Sequence, residues 1–121
     1  MTETQSYIID IIRILPNEAS CFIQAPNLSN SEILTLMSPT KFEYYKEIKL
    51  TEANKKKMIE NIMTKNIEED FQSIEIKYKN QLLFEGYDGM EYGIISKTFE
   101  LPIWFVDKYI KNDMCSISKE W

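Results

Sequence analysis

The chain has 121 residues, the length of one domain, and carries 14 Lys and Arg against 19 Asp and Glu, for a net charge of -5. It contains no histidine, which excludes a Ser-His-Asp triad, a Cys-His dyad and His-ligated zinc or haem. With a single arginine, Arg13, and an acid excess, the composition also speaks against binding to nucleic acid, because phosphate neutralisation needs surplus cations.

Residues 3–15 read as the first helix. Glu3, Ser6, Asp10, Arg13 and Asn17 recur at three- and four-residue intervals along one edge. Asp10 and Arg13 are spaced to pair there. Tyr7, Ile8, Ile11, Ile12 and Leu15 form the apolar face, and Pro16 ends the helix. Residues 20–25 read as a short strand closed by Pro26. Ser29 and Glu32 have capping-box spacing ahead of Ile33, Leu34, Leu36 and Met37, which predicts a short helix stopped by Pro39. Residues 42–50 alternate as a half-exposed strand.

Thr51 is placed to cap a helix running to about residue 65, with Ala53, Met58, Ile59, Ile62 and Met63 inward. Lys55, Lys56 and Lys57 then face solvent, and Glu68-Glu69-Asp70 forms an acidic turn. Residues 73–79 and 82–87 read as a hairpin about Asn80-Gln81, and Ile94 to Phe99 as a further strand. Pro102 opens a helix whose buried face would hold Ile103, Val106 and Ile110, with Trp104, Phe105 and Tyr109 adding bulk. Asn112-Asp113 stops it before a short strand at 114–118. Hairpin-like strands in the second half predict a single α+β domain over residues 1–121, not a doubly wound fold. Its expected sheet has four to five antiparallel strands, packed on one side by helices.

Cys21 and Cys115 stand at opposite ends of the chain. They are read as free thiols in a reducing cytosol rather than as a disulfide framework. The N-terminus lacks a basic leader, and Asp10 and Arg13 interrupt the apolar run from Tyr7 to Leu15. A cytoplasmic protein without a membrane span is the expectation, and no cofactor or metal is expected.

The densest polar constellation is Phe84-Glu85-Gly86-Tyr87-Asp88-Gly89-Met90-Glu91-Tyr92-Gly93. It holds all three glycines of the chain, and no Lys or Arg occurs between Lys79 and Lys97. Glycine admits positive φ and close backbone approach, so this loop has a demanding shape; Gly86 could mark a bulge that re-aims Tyr87. Glu85, Tyr87, Asp88, Glu91 and Tyr92 read as a protein-recognition surface. Tyrosine gives rigid contact area with a polar tip, and carboxylates attract a basic partner. The same carboxylates would serve a Ca²⁺ or Mg²⁺ site, although the EF-hand pattern is missing, or a two-carboxylate hydrolase. A plain solvated turn is the alternative to all three.

Leu82-Leu83-Phe84-Glu85-Gly86-Tyr87-Asp88-Gly89, Gly93-Ile94-Ile95-Ser96, and Leu101-Pro102 with Tyr109 together resemble small bacterial immunity-type proteins, encoded beside polymorphic or contact-dependent toxins. The resemblance spans roughly residues 74–121. It implies a non-enzymatic cytoplasmic inhibitor that binds a cognate toxin. A small carboxylate-based hydrolase using Glu85, Asp88 or Glu91 is the alternative class. A regulatory or scaffold domain that homodimerises through a sheet edge is the third.

Overall fold

The alternating segments pair into one seven-stranded mixed sheet in the computed structural model, which describes residues 1–121. The strands are β1 (Ser20–Gln24), β2 (Ser38–Pro39), β3 (Lys46–Lys49), β4 (Ser73–Tyr78), β5 (Gln81–Tyr87), β6 (Tyr92–Ile95) and β7 (Cys115–Ile117). Their order is β2-β3-β1-β4-β5-β6-β7. The α+β class therefore stands, with a larger sheet than the four to five strands expected. Of its edges, β7 falls within the short strand expected at 114–118, whereas β2, two residues long, is too short to leave an alternation pattern. The β6–β7 pair is parallel, because a helical crossover returns the chain to the sheet in the same direction.

Period two sorts each strand between two environments. Cys21, Ile23, Ile48, Ile74, Ile76, Phe84 and Ile95 are buried in the core beneath the helices. Residues of opposite parity, among them Phe22, Glu47, Glu75, Glu85 and Ile94, are only half-buried. The helices α1 (Glu3–Ile14), α2 (Ser31–Leu36) and α3 (Glu52–Lys65) share the first face, and the second face has no helix. No helix is long and apolar enough to cross a membrane.

A capping box starts α1. Thr2 Oγ1 accepts from the Gln5 amide at 3.1 Å, and Gln5 Oε1 accepts from the Thr2 amide at 2.7 Å. Gln5 Nε2 then donates to the Ile62 carbonyl at 3.0 Å, tying α1 to α3. Tyr7, Ile8, Ile9, Ile11 and Ile12 are fully buried, and Asp10 is nearly so. The edge expected to be polar is thus partly an interior surface.

The short helix is capped differently from its Ser-x-x-Glu signature. Asn30 is the N-cap, accepting from the Ile33 amide at 2.9 Å. Glu32 reaches α3 instead, where the buried Asn61 amide donates to it at 2.8 Å. The expected strand 42–50 shrinks to Lys46–Lys49, because the Thr40 hydroxyl bonds the Phe42 and Tyr45 carbonyls and curls residues 40–45 into a turn. In α3, Met58, Asn61 and Ile62 are buried while Ala53 and Met63 are exposed. Lys55 is half-buried rather than solvated, and donates to the Leu15 carbonyl that ends α1.

The hairpin turn falls one residue earlier than expected, at Lys79 and Asn80. Both have positive φ, 50° and 63°, as a type I′ connection requires. β6 is Tyr92–Ile95, displaced from the expected 94–99. After Pro102, α4 (Ile103–Phe105) passes directly into a π-helical turn, Val106–Ile110. There the Lys111 and Met114 amides donate to carbonyls five residues back, those of Val106 and Tyr109. The register change buries Phe105 and Tyr109, leaves Ile103 80% exposed and holds Val106 and Ile110 only partly buried.

Cys21 and Cys115 are free and buried. They lie on β1 and β7, separated by four strand steps, or about 19 Å, well beyond disulfide reach. Burial raises both thiol pKa values, which keeps the thiols protonated and inert.

Candidate functional site

The glycine-rich segment is the end of the β5–β6 hairpin. Glu85 pairs with Ile94, Gly86 with Gly93, and Tyr87 with Tyr92. Between the tyrosines the chain turns through three consecutive left-handed residues, Asp88, Gly89 and Met90, at φ 56°, 68° and 65°. Such a conformation costs a non-glycine residue roughly 1–2 kcal/mol, so the turn needs anchors. The Met90 side chain is buried. The Gly89 amide donates to the Gln72 carbonyl at 3.0 Å, across to the segment leading into β4.

Gly86 makes room for that anchor. A Cβ there would lie 2.8 Å from Met90 Sδ, inside van der Waals contact. A Cβ on Gly93 would overlap the Tyr7 hydroxyl. Gly86 is therefore a close-approach glycine in regular pairing and not a bulge. The register shift lies elsewhere: Ile76 pairs with Phe84 but Lys77 with Leu82, leaving Leu83 as the extra residue.

The five expected site residues divide into two groups. Tyr87, Asp88, Glu91 and Tyr92 are together at the tip, all exposed. The two tyrosine rings stack with centroids 5.6 Å apart and planes at 26°. Glu85 lies back from the tip, half-buried on the helix-free face, with Glu75 directly opposite on β4. Burial raises the Glu85 carboxyl pKa, and the neighbouring Glu75 carboxylate raises it further. Glu85, Asp88 and Glu91 are not gathered into a metal-ligand set. The carboxylate directly opposite Glu85 is Glu75, neither Asp88 nor Glu91.

Trp121 joins this site, which its place in the sequence does not foretell. Its backbone is tied at both polar groups: the carbonyl accepts from the Lys97 amide at 2.8 Å, and the amide donates to Ser118 Oγ at 3.0 Å. The half-buried indole closes one side of an open trough of about 390 Å³, with Tyr87, Tyr92, Ile94 and Ile117 on its other walls. Lys119 and Glu120 also border the trough. A terminal tryptophan is a recognisable packing residue, but no linear spacing connects position 121 to 87 and 92.

A second polar cluster joins α1 to the π-helical turn. The buried Asp10 carboxylate accepts from Tyr109 Oη at 2.6 Å and from Lys108 Nζ at 2.9 Å. Arg13, the partner expected from spacing, stands 3.8 Å away. Lys108 Nζ also donates to Ser6 Oγ at 2.7 Å. The bond to Asp10 raises the Lys108 pKa, so the amine is a charged clamp and carries no free lone pair for nucleophilic attack.

No protein-family model, curated protein or solved structure matches this chain.

Proposed function

We propose that this chain is a non-enzymatic cytoplasmic binding domain that docks the tip of its β5–β6 hairpin on a basic protein partner. The resemblance of residues 74–121 to immunity-type proteins makes that partner a bacterial toxin, which the domain inhibits. The observation that carries the reading is the pinned left-handed turn. Two non-glycine residues are held at positive φ by a buried methionine, and the result is two outward carboxylates beside a stacked, exposed tyrosine pair. Strain of this kind persists only where surrounding packing enforces it, and it clusters at binding sites. A rigid tip loses little entropy on docking, and tyrosine adds contact area at low conformational cost. Asp88 and Glu91 supply the field that steers a cationic partner.

The test uses the partner captured from the native cell with the intact chain, followed by calorimetry. Asp88→Lys combined with Glu91→Lys is expected to weaken binding by more than about tenfold. Both side chains are exposed, so the melting temperature should fall only slightly, by what a lysine adds at the left-handed position 88. Equal affinity for the charge-reversed chain would remove the tip from the interface.

A further inference from the structure

The helix-free face of the sheet extends well beyond the hairpin. Strand registers align Glu47, Phe22, Glu75, Glu85 and Ile94 in one row across β3, β1, β4, β5 and β6. Three carboxylates thus share a row with two apolar side chains. Like charges directly opposite one another destabilise a sheet, and Glu75 and Glu85 are directly opposite.

None of the three forms an ion pair within the chain, although Lys49 and Lys77 stand in the adjoining row of the same face. The ion pairs are Asp10–Arg13, Asp10–Lys108 and Asp107–Lys111, all away from this face. The lysines nearest the row are engaged otherwise. Lys77 Nζ lies 5.7 Å from the Phe22 ring centroid, and Lys49 Nζ donates to Ser20 Oγ at 3.4 Å. At one end of the row, Phe22, Phe42, Tyr44 and Tyr45 line a groove of about 370 Å³, with Lys41, Glu75 and Lys77 also on its walls. Phe42 and Tyr44 are 60% and 72% exposed in the turn fixed by Thr40. At the other end, Ile94 continues into the tyrosine trough.

We propose that this whole face is one docking surface for an extended, arginine-bearing protein segment, with a guanidinium seated over Glu75 and Glu85 and the apolar residues two places to either side of it in the two aromatic grooves. Arginine is the fitting cation: its planar fork bonds two carboxylates at once, and it stacks on aromatic faces. The dimensions agree. From Glu47 to Ile94 is four strand steps, about 19 Å, which an extended segment of about six residues spans. The proposal rests on the reading of the chain as a binding domain, but it places the energetic centre on the sheet and not at the tip.

The test is an amide-shift titration of the ¹⁵N-labelled full chain with the capped hexapeptide Val-Ser-Arg-Ser-Val-Ser, whose arginine and two valines share one side of the extended chain, and with its citrulline analogue, which keeps the shape and removes the charge. Saturable shifts at Phe22, Glu75, Glu85 and Ile94 are expected with arginine and should vanish with citrulline. Glu75→Gln with Glu85→Gln should weaken binding by about fivefold or more, while Glu60→Gln with Glu69→Gln, both exposed and away from this face, should leave these shifts in place. Shifts confined to Asp88 and Glu91 would overturn the sheet-face proposal and leave the tip reading standing. Equal shifts with citrulline, or no saturable shifts, would also overturn it. Face shifts alongside unchanged partner affinity in the tip variant would sink the tip reading alone.

Discussion

Met90 decides the shape of the hairpin tip, and Gly86 decides whether Met90 can do so. The glycines of the segment were legible in the sequence as a sign of unusual backbone, yet only Gly89 has positive φ. Gly86 and Gly93 serve close approach, to Met90 and to Tyr7 respectively, and nothing in a linear pattern distinguishes these uses. Asp10 makes the same point. Its spacing to Arg13 was readable, but its shortest bond goes to Tyr109, 99 residues away. Gly86→Ala puts a methyl against Met90 Sδ and is expected to destabilise the fold by about 1–3 kcal/mol. Urea denaturation checks this, and Gly86→Ala should cost less in a Met90→Ala background than in the parent chain if the clash is the cause.

Elements with strong periodicity were the most legible. The α1 helix and the β4–β5 hairpin lie within a residue or two of their expected bounds. Elements governed by a single side chain were not. Thr40 shortens β3 by bonding its own loop, and the π-helical turn shifts the buried face from Ile103 to Phe105 and Tyr109. Cross-strand pairing was equally hidden, because register cannot be read without the turn; that is how Glu75 came to face Glu85 unannounced. Glu85 is approached by Glu75 on β4, with Glu47 beyond Phe22 and Lys77 in the adjoining row, while β6 presents only Ile94. Its folded-state pKa is raised above the ordinary 4.5. An acid so shifted adds stability below its ordinary pKa, and that stability is lost as pH rises through the folded value. Glu85→Gln should therefore be the more stable chain at pH 7, by up to about 1 kcal/mol. The difference should close near pH 4 in paired urea titrations. A constant difference across that range would mean that charge repulsion is not its source.

The molecule as a whole is one-sided. Helices bury one face of the sheet and leave the other to Phe22, the carboxylate row and the tyrosine pair. The α+β class followed from strand spacing, because consecutive hairpins cannot make a doubly wound sheet. The bare face did not follow, since half-buried and fully exposed positions share the same alternating signature. The net charge of -5 gains a location from this asymmetry: Glu47, Glu75 and Glu85 cross the bare face without an ion-pair partner, and Asp88 and Glu91 mark its end. Hydrogen exchange of the full chain, free and bound to its captured partner, addresses the resulting account most directly. Slowed exchange is expected at the β5–β6 hairpin, at residues 87–92, and in the turn at 40–45, with α1 and α3 unchanged. Protection gathered on α1 and α3 instead, with the hairpin exchanging as freely as before, would contradict it.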